Sequence, residues 1–153
     1  MDVQNIINHF FKEIPPNPMY GRYHKILEQN GLFALLEPET VHEADLITRP
    51  EFIEGLLWGL PRYGHPEGKV AYHIREVFYN IDHLNGMDAA TRQMLRSIAL
   101  IHDTFKYKED RNIPRDWSKH HGVIARKYIE QEMIGAETCE IIELHDRSEE
   151  HTS

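Results

Sequence analysis

The sequence predicts an all-α protein. Three observations carry that expectation: apolar residues recur at helical spacing in segment after segment, Pro and Gly fall between those segments, and no stretch alternates as a strand would. At 153 residues, with 41% hydrophobic and 27% charged, the chain has the size and composition of a single soluble globular domain. No run approaches the apolar length that spans a bilayer, and the opening Met-Asp-Val-Gln-Asn lacks the basic-then-apolar pattern of a signal peptide. A cytoplasmic location without membrane contact is therefore expected. The net charge of −8 argues against a surface that wraps nucleic acid.

Taken in order, the first expected helix covers Val3 to Ile14, with Val3, Ile6, Ile7, Phe10 and Phe11 on one face, and Pro15, Pro16 and Pro18 end it. A second stretch runs from about Tyr20 to Leu36 with an interruption near Gly31 and a stop at Pro38. A third is expected from Arg49 to Leu60, with Pro50 suited to its first turn. The loop from Pro61 to Gly68 is dense in helix breakers, and beyond it Val70, Ile74, Val77, Phe78 and Ile81 mark one face of a helix. Asn85-Gly86 makes a turn, Asp88 is an N-cap, and Leu95, Ile98, Ala99 and Ile101 define the next helix. Ser118 is read as the cap of a helix bearing Ile124, Ala125 and Tyr128. After Gly135, a last helix carries Ile141, Ile142 and then His145 at the spacing of its buried side. The one cysteine, Cys139, has no internal partner and suits a small buried apolar position.

Eleven histidines form the compositional outlier. The helical phase turns His73 toward Val70 and Val77, His102 toward Ile98, and His120 or His121 and His145 toward the interior of their own helices. A single inward histidine is ordinarily a hydrogen-bonded core residue. Four successive helices that each bring one inward, with Asp103 adjacent to His102, suggest a shared cation, because each buried imidazole needs partners for both nitrogens. Mixed imidazole and carboxylate ligands suit manganese, iron, cobalt, nickel or zinc, with magnesium less natural, as one ion or two. Such an ion acidifies a bound water and neutralises phosphate oxygens, so attack of that water on a phosphoester is the expected chemistry.

The stretch His65-Pro-Glu-Gly-Lys-Val-Ala-Tyr-His73, followed by Ala99-Leu-Ile-His102-Asp103-Thr-Phe-Lys106, resembles the HD-domain superfamily of metal-dependent phosphohydrolases. His120-His-Gly-Val-Ile-Ala-Arg126 and Ile141-Ile-Glu-Leu-His-Asp146 are similar to the family's following helices. The resemblance covers roughly Pro61 to Asp146 and implies a single HD-domain helical bundle there, so residues 1–60 are expected to form an N-terminal helical extension packed on an HD core at 61–146. It implies His73, His102 and Asp103 as metal ligands, Asp103 bridging when two ions bind. His120 is the choice for the extra ligand of a two-metal site, because its offset to Ala125 matches the family better than that of His121; helical phase alone slightly prefers His121, and both are carried, with His145 on the last helix. The family's distal Asp generally lies farther beyond the His-Asp pair than Asp146 does, and the expectation is either that Asp146 fills that role or that the ligand was lost with the truncated C-terminus. Lys106 and Arg62 are candidates for gripping a substrate phosphate, and Glu67 for an acid or base, although a solvated Arg62 and a helix-terminal Glu67 are equally consistent with the sequence.

The codons AGA TCG GAA GAG CAC ACG TCT would encode the final Arg147-Ser-Glu-Glu-His-Thr-Ser153, and that string looks like a sequencing-library adapter read through in frame. The expectation is that residues 147–153 form an adapter-derived tail on a C-terminally truncated domain, and resequencing the locus reads this directly. The expected partner is a small phosphorylated substrate, a nucleotide among the candidates, while the oligomeric state is not legible. The competing class is a catalytically silent metal-binding helical module with a structural or sensing role.

Overall fold

The computed structural model describes residues 18–61, 67–109, 116–132 and 134–145. Among the described residues are seven α-helices, two short 3-10 turns and no strand, so the all-α expectation holds. The helix expected at Val3 to Ile14 lies outside the described residues.

Helix α1 (Pro18–Leu36) breaks at Gly31, whose φ of 84° and ψ of −176° lie outside helical geometry. Helix α2 (Val41–Thr48) is not announced by apolar periodicity. It is announced by its cap: the Thr40 hydroxyl accepts from the Glu43 backbone N–H at 3.0 Å, the first half of a Thr-x-x-Glu capping box. Helix α3 (Pro50–Leu57) starts on Pro50 as expected but stops short of Leu60, because Trp58 is extended and Gly59 takes a φ of 114°. A Cβ at Gly59 would also stand 2.2 Å from the Gly68 carbonyl, so this close approach of the two strands of the loop requires glycine.

Helix α4 (Val70–Asp82) buries Val70, Ile74, Phe78 and Ile81 on the face read from the sequence. Asp88 caps α5 (Ala89–His102), accepting from the Thr91 N–H at 2.7 Å. The Ser118 cap is corrected. Ser118 sits inside a 3-10 turn (Trp117–Lys119) held by the Asp116 carboxylate, and α6 (His121–Ile129) is capped by His120, whose Nδ1 accepts from the Gly122 N–H at 3.1 Å. Helix α7 (Ala136–Leu144) buries Thr138, Cys139 and Ile142, whereas Ile141 is 37% exposed, so of the neighbouring isoleucines only Ile142 faces inward. Cys139 is a buried free thiol, in keeping with an apolar packing role.

One apolar cluster runs through these helices, from Tyr23, Leu35, Leu46 and Phe52 on α1 to α3, through Phe78 and Leu100, to Ile129 and Ile142. Phe105, fully buried after the end of α5, is central: Phe52 meets it edge-on at 5.5 Å and Tyr128 lies 5.0 Å away between ring centroids. The turn that follows α5 is thereby anchored in the core. Gly55 of α3 closes on the same turn, where an added Cβ would stand 1.8 Å from the Thr104 carbonyl oxygen. Gly55→Ala must push backbone against backbone at the residue after Asp103. It is expected to cost about 1–3 kcal/mol or more, read as a lowered urea midpoint, the range for overpacking a filled core.

Candidate metal centre

Asp103 follows the last residue of α5 in a turn, and its side chain is only 9% exposed. Its two carboxylate oxygens face different histidines. Oδ2 lies 3.0 Å from His102 Nε2, 3.6 Å from His73 Nε2 of α4 and 3.6 Å from Lys106 Nζ. Oδ1 lies 3.2 Å from His121 Nε2, at the start of α6, and 3.3 Å from His145 Nε2, just past α7. The two groups His73–His102–Asp103 and Asp103–His121–His145 each bring their donor atoms within 4.8 Å of one another. Four helices meet at one carboxylate.

The far nitrogens of these rings specify what the near ones offer. His102 Nδ1 lies 2.8 Å from the Ala99 carbonyl and 3.0 Å from that of Ile98, and His145 Nδ1 lies 2.7 Å from the Ile142 carbonyl. A carbonyl only accepts, so Nδ1 carries the proton in both rings, and in the neutral form Nε2 turns a lone pair toward Asp103. His121 Nε2 and His145 Nε2 also stand 3.1 Å apart. Lone pairs aimed at a carboxylate and at each other repel unless something positive lies among them. Extra protons would put several imidazolium charges against one buried carboxylate, an expensive arrangement at low dielectric. A divalent cation satisfies the same atoms with less charge, so these residues fit a metal.

The electrostatics follow the same geometry. Burial alone would raise the Asp103 carboxyl, but without a cation any ring that takes a second proton donates from Nε2, and such donation from His102, His121 and His145 outweighs burial and holds the group well below the usual carboxylate range. Burial pushes the His73 imidazole below its ordinary value against the opposing pull of Asp103, which favours the neutral, metal-ligating form.

The other expected site residues fall as follows. Lys106 stands beside Asp103 with its side chain 12% exposed, and it lines a narrow cleft with Trp58, Glu67, Val70 and His73. Glu67 thus borders the centre. His120 is fully buried but directs its ring away from Asp103: Nδ1 caps α6 and Nε2 lies 3.5 Å from Glu109 Oε1. Of the two neighbouring histidines, His121 is the one set against Asp103. Arg62 and Asp146 lie outside the described residues.

Glu109 was not anticipated. It sits at the end of the 3-10 turn after Phe105, with its side chain 1% exposed, and it holds both His120 and His121. Helical periodicity cannot reach such a residue; the available signal was an acid shortly after the His-Asp pair and before a Pro-containing loop. The sequence also left unannounced the buried ion pair between Arg96 of α5 and Glu43 of α2, with Arg96 Nη2 2.8 Å from Glu43 Oε1.

Among the described residues the fold is all-helical, and one buried aspartate flanked by histidines from three further elements is a side-chain set that could hold a divalent metal. The HD-domain family model matches residues 70–152, more than half of the chain, and the protein belongs to that family. HD domains form a superfamily of metal-dependent hydrolases, and the His and Asp groups described above could hold the ion. No curated protein matches the chain, and no solved structure matches it. Among the described residues no helix is long and apolar enough to cross a membrane.

Proposed function

We propose that the protein is a phosphohydrolase that uses one or two divalent cations to cleave a small phosphorylated substrate, with nucleotides the leading class. The observation that carries this reading is the placement of the two Asp103 oxygens, each against its own pair of histidines. Under this reading His73, His102 and Asp103 would hold a first ion, and Asp103, His121 and His145 would hold a second. His120 keeps its capping role, and Asp146, next to His145 in sequence, is the candidate for a remaining ligand. When bound, the cation supplies Lewis acidity toward a phosphoryl oxygen and acidifies a coordinated water.

The chain's own residues supply the rest. Lys106 is a fixed positive charge beside Asp103 and binds a phosphate oxygen as negative charge develops. Glu67, on the rim of the same cleft, holds or receives a proton at its carboxylate. A groove of about 710 Å³ opens next to Lys106, lined in part by Leu57, Trp58, Leu60, Lys69 and Tyr107. Its aromatic and apolar wall beside two lysines suits a ligand that joins a flat or apolar group to a phosphate.

Turnover of a panel of nucleotides and simple phosphoesters, on protein stripped and reloaded with manganese, iron, cobalt, nickel, zinc or magnesium, tests the reading. Metal-dependent release of phosphate is expected, with Lys106→Met lowering kcat/KM by roughly 10²–10³-fold, the range for loss of one preorganised charge-stabilising donor. A second reading, a silent metal-binding module, draws on the near-complete burial of His121, because structural sites are coordinatively closed. Fully metal-loaded protein that turns over nothing on the panel would favour that module.

A further inference from the structure

We infer that Glu109 is a positioning residue: it locks the His121 ring in the tautomer that offers Nε2 to the Asp103 side of the centre. The inference deepens the two-ion reading given above and rests on it for its metal consequence, but not for the tautomer itself. Glu109 Oε1 lies 3.0 Å from His121 Nδ1 and 3.2 Å from the His121 backbone nitrogen. The backbone N–H can only donate, so Oε1 is an acceptor there. That nitrogen also opens α6, a helix of nine residues, and a helix N-terminus favours the ionised carboxylate. His120 supports the same state. Its Nδ1 accepts from the Gly122 N–H, so its proton sits on Nε2, which points at Glu109 Oε1 from 3.5 Å. The same Oε1 therefore accepts from His121 Nδ1–H, and in the neutral ring the lone pair is left on Nε2, 3.2 Å from Asp103 Oδ1.

The contrast with the neighbouring rings gives this a consequence. His102 and His145 donate Nδ1–H to neutral backbone carbonyls, whereas His121 donates to a buried carboxylate. A charged acceptor makes the stronger hydrogen bond and raises the basicity of the opposite nitrogen. The Asp103–His121–His145 position therefore has the most electron-rich imidazole of the centre, and the His73–His102 position has no equivalent among the described contacts.

Two measurements on the full chain test the inference. Long-range proton–nitrogen NMR spectra of the metal-free protein should report His121 with its proton on Nδ1, a pattern that becomes a tautomer mixture in Glu109→Ala and survives in Glu109→Gln, whose amide oxygen still accepts. Wild-type His121 with no proton on Nδ1, or a pattern unchanged in a folded Glu109→Ala, overturns it. Cobalt titration, followed by calorimetry and visible absorption, should find the second ion weakened about 10–100-fold in Glu109→Ala, the usual effect of losing a ligand's hydrogen-bond partner, and less in Glu109→Gln. The first ion should bind as in wild type. Equal weakening of both ions would mark Glu109 as a general structural support and overturn the positioning role. Wild-type protein that takes up no second cobalt would count against the two-ion reading instead, and the NMR result would still decide the tautomer. Should Glu109→Ala fail to fold, Glu109→Gln with the wild-type spectrum decides it: a weakened second ion supports the role, and an unaltered one overturns it.

Discussion

Asp103→Asn is expected to empty both cation positions together and to lower phosphohydrolysis by roughly 10³-fold, since a metal's charge stabilisation is worth several kcal/mol and each 1.36 kcal/mol is tenfold. The substitution keeps the size of the side chain. It replaces one carboxylate oxygen with an NH₂ group, which donates to the histidine lone pairs and satisfies them without a cation. Because Oδ1 and Oδ2 each serve a different histidine pair, no orientation of the amide serves both as an anion. His73→Ala and His145→Ala should behave differently, each weakening only its own side of the carboxylate. Metal content by elemental analysis, with kcat/KM on the best substrate of the panel, reads the result. An Asn variant that retains both ions at wild-type affinity would refute the bridging role.

The second large effect concerns stability. Arg96 and Glu43 are 3% and 1% exposed, and the guanidinium also donates to the Glu37 carbonyl at 3.3 Å and stacks 3.9 Å over the Phe78 ring. Three helices, α2, α4 and α5, are tied at this point. Arg96→Met removes the positive partner and leaves the buried Glu43 carboxylate with only the long hydrogen bonds from the Glu39 N–H and the Thr40 hydroxyl. The expected cost is about 3–5 kcal/mol, the range for breaking a buried pair, against a total stability of roughly 5–15 kcal/mol. That corresponds to a melting point lower by roughly 6–20 °C for a domain of this size. Adding Glu43→Leu should recover much of the loss, because it removes the stranded charge and fills the space with apolar atoms. Thermal and urea melts of the single and double variants form the cycle. A loss below about 1 kcal/mol for Arg96→Met would mean the pair behaves as a solvated one.

Most of the fold was legible because its signals are local. The breaks at Gly31 and Pro50, the Asp88 cap and the buried face of α4 each follow from a residue type or a spacing within a turn or two. Helix α2 was missed because its buried side is Glu43, Leu46 and Ile47, a charged residue standing where an apolar stripe would begin, although its Thr40–Glu43 cap was there to be read. The start of α6 was misplaced because Ser118 is a conventional cap and His120 is an unusual one; Asp116 claims Ser118 for the 3-10 turn instead.

Of the centre, the amino-acid sequence by itself determined the chemical inventory: an excess of histidines, a His-Asp pair at a helix end, and further histidines on the later helices, enough to imply a cation and a family. Which ring nitrogen faces which carboxylate oxygen was decided by the tertiary structure alone. Helical phase locates a ring to within a face, while metal ligation depends on differences of an ångström and on where the far nitrogen finds its acceptor. Both His120 and His121 meet Glu109, but His120 does so through Nε2 because its Nδ1 caps α6, whereas His121 does so through Nδ1 and leaves Nε2 to Asp103, a division that no spacing along the chain encodes.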